Sequence, residues 1–333
     1  ALVIGVYQIF HASINLVTYV LYRKNKIRPR FRLLLDGLVL VFLGGTSLLS
    51  STGNSVFQLF VLGAYFFLYG VSNIRDGFLF EEEIGKNHLK RRVRMSLPIV
   101  LAALIPARTL AKINKFMLEN ADEREDIHLG MVKSGKTAEL EIFVHTAETS
   151  LFSAIGHVDI CYQGRVISYG NYDPSSETLF GMVGDGVLYF CDRDKYIDLC
   201  KRESQKTLFG YGIDLTPEME KAVQKKLAEL KQLTIPWEPS ADKIMTGDGK
   251  EDYTYAYKIR HETDGELYKF IKSKFKSYFV LSTNCVLLAD TIVGQAGTDI
   301  LSPKGFIAPG TYQAYLNREF EKPNSIVVSK HVY

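Results

Sequence analysis

The sequence predicts an α+β chain in two parts: a transmembrane helical region over 1–118 and, past a charged linker at 119–138, a mixed helix-and-sheet domain over 139–333. Three observations predict it. Hydrophobic residues make up 47% of the 333 positions, high for an ordinary soluble enzyme. The net charge of +3 is split, with 15 Lys and Arg against 5 Asp and Glu over 1–118, and 25 against 32 over the remainder. Apolar stretches at 1–22, 33–49 and 56–74 approach the roughly 20 residues that cross a bilayer's hydrocarbon core. A basic, apolar first third on an acidic remainder excludes one homogeneous globule. It also argues against a nucleic-acid binder, because the basic residues flank apolar runs instead of forming one patch.

Loop charge orients the spans. Arg23, Lys24, Lys26, Arg28, Arg30 and Arg32 lie between the first two, and Arg75, Lys86, Lys90, Arg91, Arg92 and Arg94 follow the third. Positive short loops stay in the cytoplasm, so the uncharged turn at 50–55 faces out. A fourth apolar element, 95–107, is followed by Arg108, Lys112 and Lys115. As a span it delivers the C-terminal domain outside, the reading preferred here; as an interfacial helix with snorkelling cations it leaves that domain in the cytoplasm.

The runs RFRLLLDGLVLVFLGGTSLLS and LFVLGAYFFLYGVSNIRDG have a basic start, a Gly-containing span, a short turn and a Gly-Ala-Tyr span ending in charge. Over about 1–95 this resembles the HdeD-type family of small bacterial membrane proteins. Gly37, Gly44, Gly45, Gly63 and Gly70 are expected to permit close helix packing. No ionisable cluster lies mid-span, so a transport role has no support.

Folded sequence is expected to resume near Glu139. AELEIFVH, HVDICYQGRVISYG and GVLYFCD read as strands, with Gln163-Gly164 as a turn. Thr216-Pro217 opens a helix whose apolar stripe is Met219, Val223, Leu227, Leu230 and Leu233. YKFIKSKFKSY (268–278) interleaves aromatic and basic residues and reads as a half-buried helix with a solvated Lys face, in preference to an RNA or lipid-headgroup surface. STNCVLLADTIVG reads as a loop entering an apolar helix that ends at Gly294, and 325–332 reads as a strand.

Two features carry chemistry. His157 opens a strand after a glycine, with Asp159 and Cys161 on its face by the two-residue period. Cys285 stands where a polar loop turns into an apolar helix. A helix N-terminus supplies free N–H groups that lower a thiol's pKa and hold an oxyanion, and a nearby imidazole completes the activation. Each feature alone is more often structural: a small core residue, a packed histidine. Cys161, Cys191 and Cys200 sit in strand or strand-edge contexts and read as inert packing. A Cys161–Cys191 or Cys191–Cys200 disulfide requires the domain to be outside. The absence of a CxxC pattern argues against zinc.

Together the blocks SLFSAIGHVDICY, ISYGNYD, LTPEMEKAVQKKLAEL and YFVLSTNCVLLAD, over roughly 140–295, resemble the circularly permuted NlpC-type papain-like superfamily. Within it the domain is most similar to the Lnb-type (bacterial lipoprotein N-acyltransferase) domain. The resemblance implies a circularly permuted papain-like fold with Cys285 as nucleophile and His157 as base. It places Asn284 before the nucleophile as support for the oxyanion. The third polar member falls among Tyr169, Asn171 and Asp173, with Asn171 the choice and Tyr169 in support. Val286, Leu287 and Leu288 depart from the Thr and Arg expected after Asn-Cys. The implied activity is that of a membrane-bound cysteine acyltransferase or lipid hydrolase. It forms a thioester from membrane phospholipid and passes the acyl chain to a lipoprotein N-terminus or to water, with no cofactor and no metal. An NlpC-like peptidoglycan amidase or endopeptidase and a non-catalytic membrane scaffold are the alternatives. The implied location is the bacterial cytoplasmic membrane, multi-pass, with the catalytic domain extracytoplasmic.

Overall fold

The computed structural model describes residues 2–49, 59–60, 63, 67, 70, 129–133, 138–145, 157–204, 208–245, 249, 251–294, 313, 316–317, 319–322 and 325–333. The chain divides into two compact units, one holding the N-terminal helices and one holding a sheet.

In the first unit, α1 (Leu2–Lys24) and α2 (Phe31–Leu49) pack on each other. A Cβ added at Gly37 would stand 2.8 Å from Leu16, and one at Gly44 2.9 Å from Ile9, so both glycines sit at close approach. Gly45, Gly63 and Gly70 meet nothing within 4 Å and do not serve this contact. Ser47 donates a buried hydrogen bond to Gln8 at 3.3 Å across the pair. Among the described residues one helix, Phe31–Leu49, is long and apolar enough to cross a membrane. Of the third expected span, positions 59–60, 63, 67 and 70 are helical. The rest of it, the fourth element and most of the charged linker lie outside the described residues.

The second unit is built from β1 (Leu129–Val132), β2 (Leu140–His145), β3 (His157–Tyr162), β4 (Arg165–Gly170), β5 (Val183–Asp185), β6 (Val187–Asp192), α3 (Arg193–Ser204), β7 (Leu208–Ile213) and α4 (Pro217–Lys231). It continues with β8 (Thr234–Pro236), β9 (Lys243–Met245), β10 (Glu251–Tyr253), α5 (Tyr255–Glu262), β11 (Glu266–Phe270), β12 (Ser277–Phe279), α6 (Cys285–Val293) and β13 (Val327–Val332). Nine strands form one antiparallel sheet in the order β1-β13-β7-β2-β3-β4-β6-β11-β8. β12 and β5 pair separately.

Helices cover both faces. On one, Ile142, Val144, Val158, Ile160 and Tyr169 pack with Met219, Val223 and Leu230 of α4 and with Val286, Ala289 and Ile292 of α6. On the other, Phe143, Cys161, Val166 and Cys191 pack with Tyr196 and Leu199 of α3 and Ile259 of α5. Alternate residues of β2 and β3 therefore enter opposite cores.

Several expectations hold. Thr216 caps α4, accepting from the Met219 amide at 3.3 Å, with Pro217 at the first helical position. Gln163 and Gly164 turn between β3 and β4 with φ of 50° and 73°. Others do not. The 268–278 segment is not a helix: it gives the end of β11, a 3-10 turn at Lys274–Lys276 and β12. Phe270 and Leu267, the residue just before the segment, are buried three apart, as on a helix, but they enter opposite cores of a sheet covered on both faces. Leu129–Val132, inside the stretch read as linker, is an edge strand on β13. Cys200 lies in helix α3, not in a strand. All four cysteines are free and buried, in line with the packing reading of Cys161, Cys191 and Cys200 and without either disulfide considered for them.

Candidate functional site

The site lies at the sheet end where β2 finishes and β3 begins. Asn284 takes an extended conformation, and its Oδ1 accepts from the Leu287 amide at 3.1 Å. Its Nδ2 donates to the Val280 carbonyl at 3.0 Å. Both ends of this amide thus hold the loop and cap α6, which fixes Cys285 as the first helical residue. Helix α6 then packs on β3 and β4.

The Cys285 thiol lies within electrostatic reach of the His157 imidazole and is among the groups that raise its pKa. Nε2 of His157 lies 2.8 Å from Asp159 Oδ1, 2.9 Å from Ser168 Oγ and 3.0 Å from the Tyr172 hydroxyl. The Asp159 side chain is wholly buried, and Oδ2 accepts from His145 Nε2 at 2.6 Å and from the Tyr196 hydroxyl at 2.5 Å. One carboxylate is therefore set between two imidazoles. The register explains it: His145, last in β2, stands directly opposite His157, first in β3, with ring centroids 5.6 Å apart.

Burial and charge compete here. Burial alone lowers the His157 pKa, but the charges of Asp159 and Cys285 and the hydrogen bonds to them outweigh it and hold it well above the ordinary value. Burial alone raises the Asp159 carboxyl, and His157 with His145 outweighs it, holding the group far below the usual carboxylate range. Burial pushes Cys161 up to about 12 and Cys191 higher still.

A cavity of about 220 Å³ opens beside His157, with Asn171, Tyr172, Glu177, Met182 and Tyr278 in its walls. Cys285 is 3% exposed and is not among the cavity's lining residues. Tyr278 belongs to both places, lining the cavity and interacting with the thiol, which helps raise its own pKa.

The structure thus brings Cys285, His157 and Asn284 together. Asn171 is in the cavity wall, its Nδ2 facing Glu177 Oε1 at 3.3 Å, and it is not a partner of His157. Asp159, two residues along the strand, stands at ion-pair distance from His157, whose Nε2 hydrogen bonds go to Ser168 and Tyr172. Tyr169 is fully buried, donates to the Phe275 carbonyl at 3.0 Å and packs its ring on Tyr278, one side chain away from the thiol. Sequence reasoning missed His145, Tyr172, Tyr196 and Tyr278. The signal for His145 was present, since adjacent antiparallel strands pair the end of one with the start of the next. Among the described residues no group of His, Cys, Asp and Glu is arranged to hold a metal ion. The chain matches no family model, no curated protein and no solved structure.

Proposed function

We propose that the chain is a membrane-bound cysteine acyltransferase or lipid hydrolase acting through a thioester. The observation that carries this reading is the contact of Cys285, at the start of an apolar helix, with an imidazole whose Nε2 rests on a buried carboxylate. With Nε2 turned to Asp159, Ser168 and Tyr172, the mechanism assigns the thiol proton to Nδ1. His157 takes the thiol proton, and the sulfur attacks an ester carbonyl of a phospholipid. The amides of Cys285 and Val286 precede the first intrahelical acceptors and suit the oxyanion, since those of Leu287 and Leu288 are bound to Asn284. The intermediate collapses, the C–O bond breaks, and the leaving alcohol takes the proton back from His157. An amine, such as a lipoprotein N-terminus, or water then attacks the thioester with His157 as base, and the sulfur leaves as the thiol. Asp159 stabilises the imidazolium and fixes its tautomer; His145 and Tyr196 hold Asp159.

The phospholipid assignment is supported by tethering: a helix fit to span a bilayer keeps this domain where acyl esters are concentrated. The same proposal includes a multi-pass region of three to four spans over 1–118 and an extracytoplasmic catalytic domain, supported by the loop charges. It also includes a permuted papain-like architecture for the domain. The order of His157 before Cys285, with the cysteine helix packed on the strand of the histidine, supports that architecture.

The test is the intact mass of the full-length protein after brief incubation with phospholipid, beside Cys285→Ala. A fatty-acyl increment on the wild type and its complete loss in the variant are expected. No increment with a reactive Cys285 moves the substrate to a peptide amide, and an unreactive thiol excludes the enzyme.

A further inference from the structure

We propose that the turn bearing Leu179 and Phe180 inserts into the surface of a lipid bilayer beside the mouth of the cavity. Thr178 and Val183 pair with each other, the Thr178 amide donating at 2.8 Å and the Val183 amide at 3.2 Å, and the Met182 amide donates to the Leu179 carbonyl at 3.2 Å. Leu179, Phe180 and Gly181 all have left-handed backbones, with φ of 50°, 57° and 80°. A tight turn with two central residues of positive φ ordinarily takes Asn-Gly or Asp-Gly, because a bulky Cβ crowds its own carbonyl there. Here Phe180 takes the first central position, before Gly181, and Leu179, the residue ahead of it, is left-handed as well. Neither is repaid by burial, for Phe180 is 92% and Leu179 49% exposed. Strain held at the surface with no core contact to offset it points to a contact made outside the chain.

The turn is joined to the site. Gly181 and Met182 line the cavity that holds His157. The strand that follows, β5, pairs with β12, and the Val280 amide donates to the Met182 carbonyl at 3.0 Å just before the loop that delivers Cys285. Whatever the tip enters is therefore held beside the cavity.

A bilayer suits the tip better than a protein does. A stable protein interface buries about 800 Å² per partner, and one aromatic contributes roughly 150–250 Å². Just before these two side chains in the sequence, the exposed Ser175, Glu177 and Thr178 are polar and add no apolar contact. A fluid lipid layer accepts a lone aromatic wedge without a complementary surface. The chain also carries a helix fit to cross a membrane, so lipid is within reach of this domain. The insertion stands on this geometry; its consequence for catalysis rests on the acyl-transfer reading.

The test uses full-length protein in phosphatidylcholine vesicles. The sequence has a single tryptophan, Trp237, so Phe180→Trp in a Trp237→Phe background reports on the tip alone. Its emission is expected to shift to the blue and to lose most of its intensity to lipids brominated on the acyl chain. Lys201→Trp in the same background, exposed on α3, is expected to be quenched by iodide instead. Iodide quenching of the tip with no effect of bromolipid overturns the insertion. A second variant, Phe180→Asn, suits the left-handed position and keeps the fold. It is expected to lose acyl transfer from vesicle lipid while retaining transfer from a dissolved short-chain ester. Equal loss on both substrates overturns the bilayer role of the tip. No turnover of either ester by the wild type removes the acyl-transfer reading and leaves the fluorescence to decide insertion by itself.

Discussion

Replacing Asp159 by asparagine keeps the side chain's shape and removes its charge. The carboxylate accepts from His145 and Tyr196 through one oxygen and faces His157 through the other, all without solvent. An asparagine that keeps its oxygen toward His145 and Tyr196 turns its NH₂ toward His157 Nε2, donor against donor. Breaking a buried ion pair in this way costs about 3–5 kcal/mol, on the order of a 10 °C fall in Tm. The sign follows from the two shifts. Asp159 is depressed, so its contribution is present above the ordinary carboxylate range of about 4 and is lost as pH falls through its folded value. His157 is raised, so its contribution is full below about 6.5 and is lost as pH rises through its folded value. The stability gap between wild type and Asp159→Asn is therefore widest between those limits and narrows at both extremes. Thermal unfolding of the detergent-solubilised full-length chain against pH measures it. Equal Tm values near pH 6, or a gap that ignores pH, would refute the reasoning. The same variant is expected to slow acyl-enzyme formation by about 10²-fold or more, since the imidazole loses the group that orients it.

Substitutions at two further positions test the surroundings. Tyr278→Phe removes the hydroxyl that interacts with Cys285, and Tyr278→Ala also opens the wall between thiol and cavity. Alkylation of Cys285, read by peptide mass, is expected to quicken in that order, with Cys161 and Cys191 unlabelled as internal controls; unchanged rates would show that Tyr278 does not cover the thiol. Gly186→Ala would set a Cβ 1.9 Å from the Phe275 carbonyl, where the chain crosses toward the site, and overpacking of this kind costs about 1–3 kcal/mol. A lower Tm is expected, and an unchanged one would mean the crossing has room.

How much of this was legible depended on whether the signal was local. The cap at Asn284, the apolar run after it and Gly294 at its end sit within eleven consecutive residues, so helix α6 and the position of Cys285 could be read directly. The Thr216-Pro217 helix start was local in the same way. The sheet order was not, because β7 lies between β2 and β13, strands far apart in sequence. Coverage of both sheet faces also erased the alternation that identifies a strand, which is why the end of β11 read as a helix. The carboxylate beside His157 was hidden for a related reason. Asn171 belongs to a block whose order suggested it, whereas Asp159 is identified by a contact at the end of a strand that also needs His145 across the register.

That register has a consequence for how the site is held. By the alternation of β3, His157 and Asp159 belong to the face on which Phe143 and Tyr196 pack, while Cys285 belongs to the helix layer on the opposite face. A thiol and an imidazole from opposite layers can meet only where the sheet stops separating them. His157 is the first residue of β3, and Cys285 is the first residue of α6. One residue further along either element, the sheet itself would stand between the groups. Each layer then fixes one partner: α4 and α6 set the thiol, and α3, through Tyr196, sets the carboxylate that aims the imidazole. The distance between sulfur and ring is thus determined by two cores at once, so activity is a sensitive report on the packing of both.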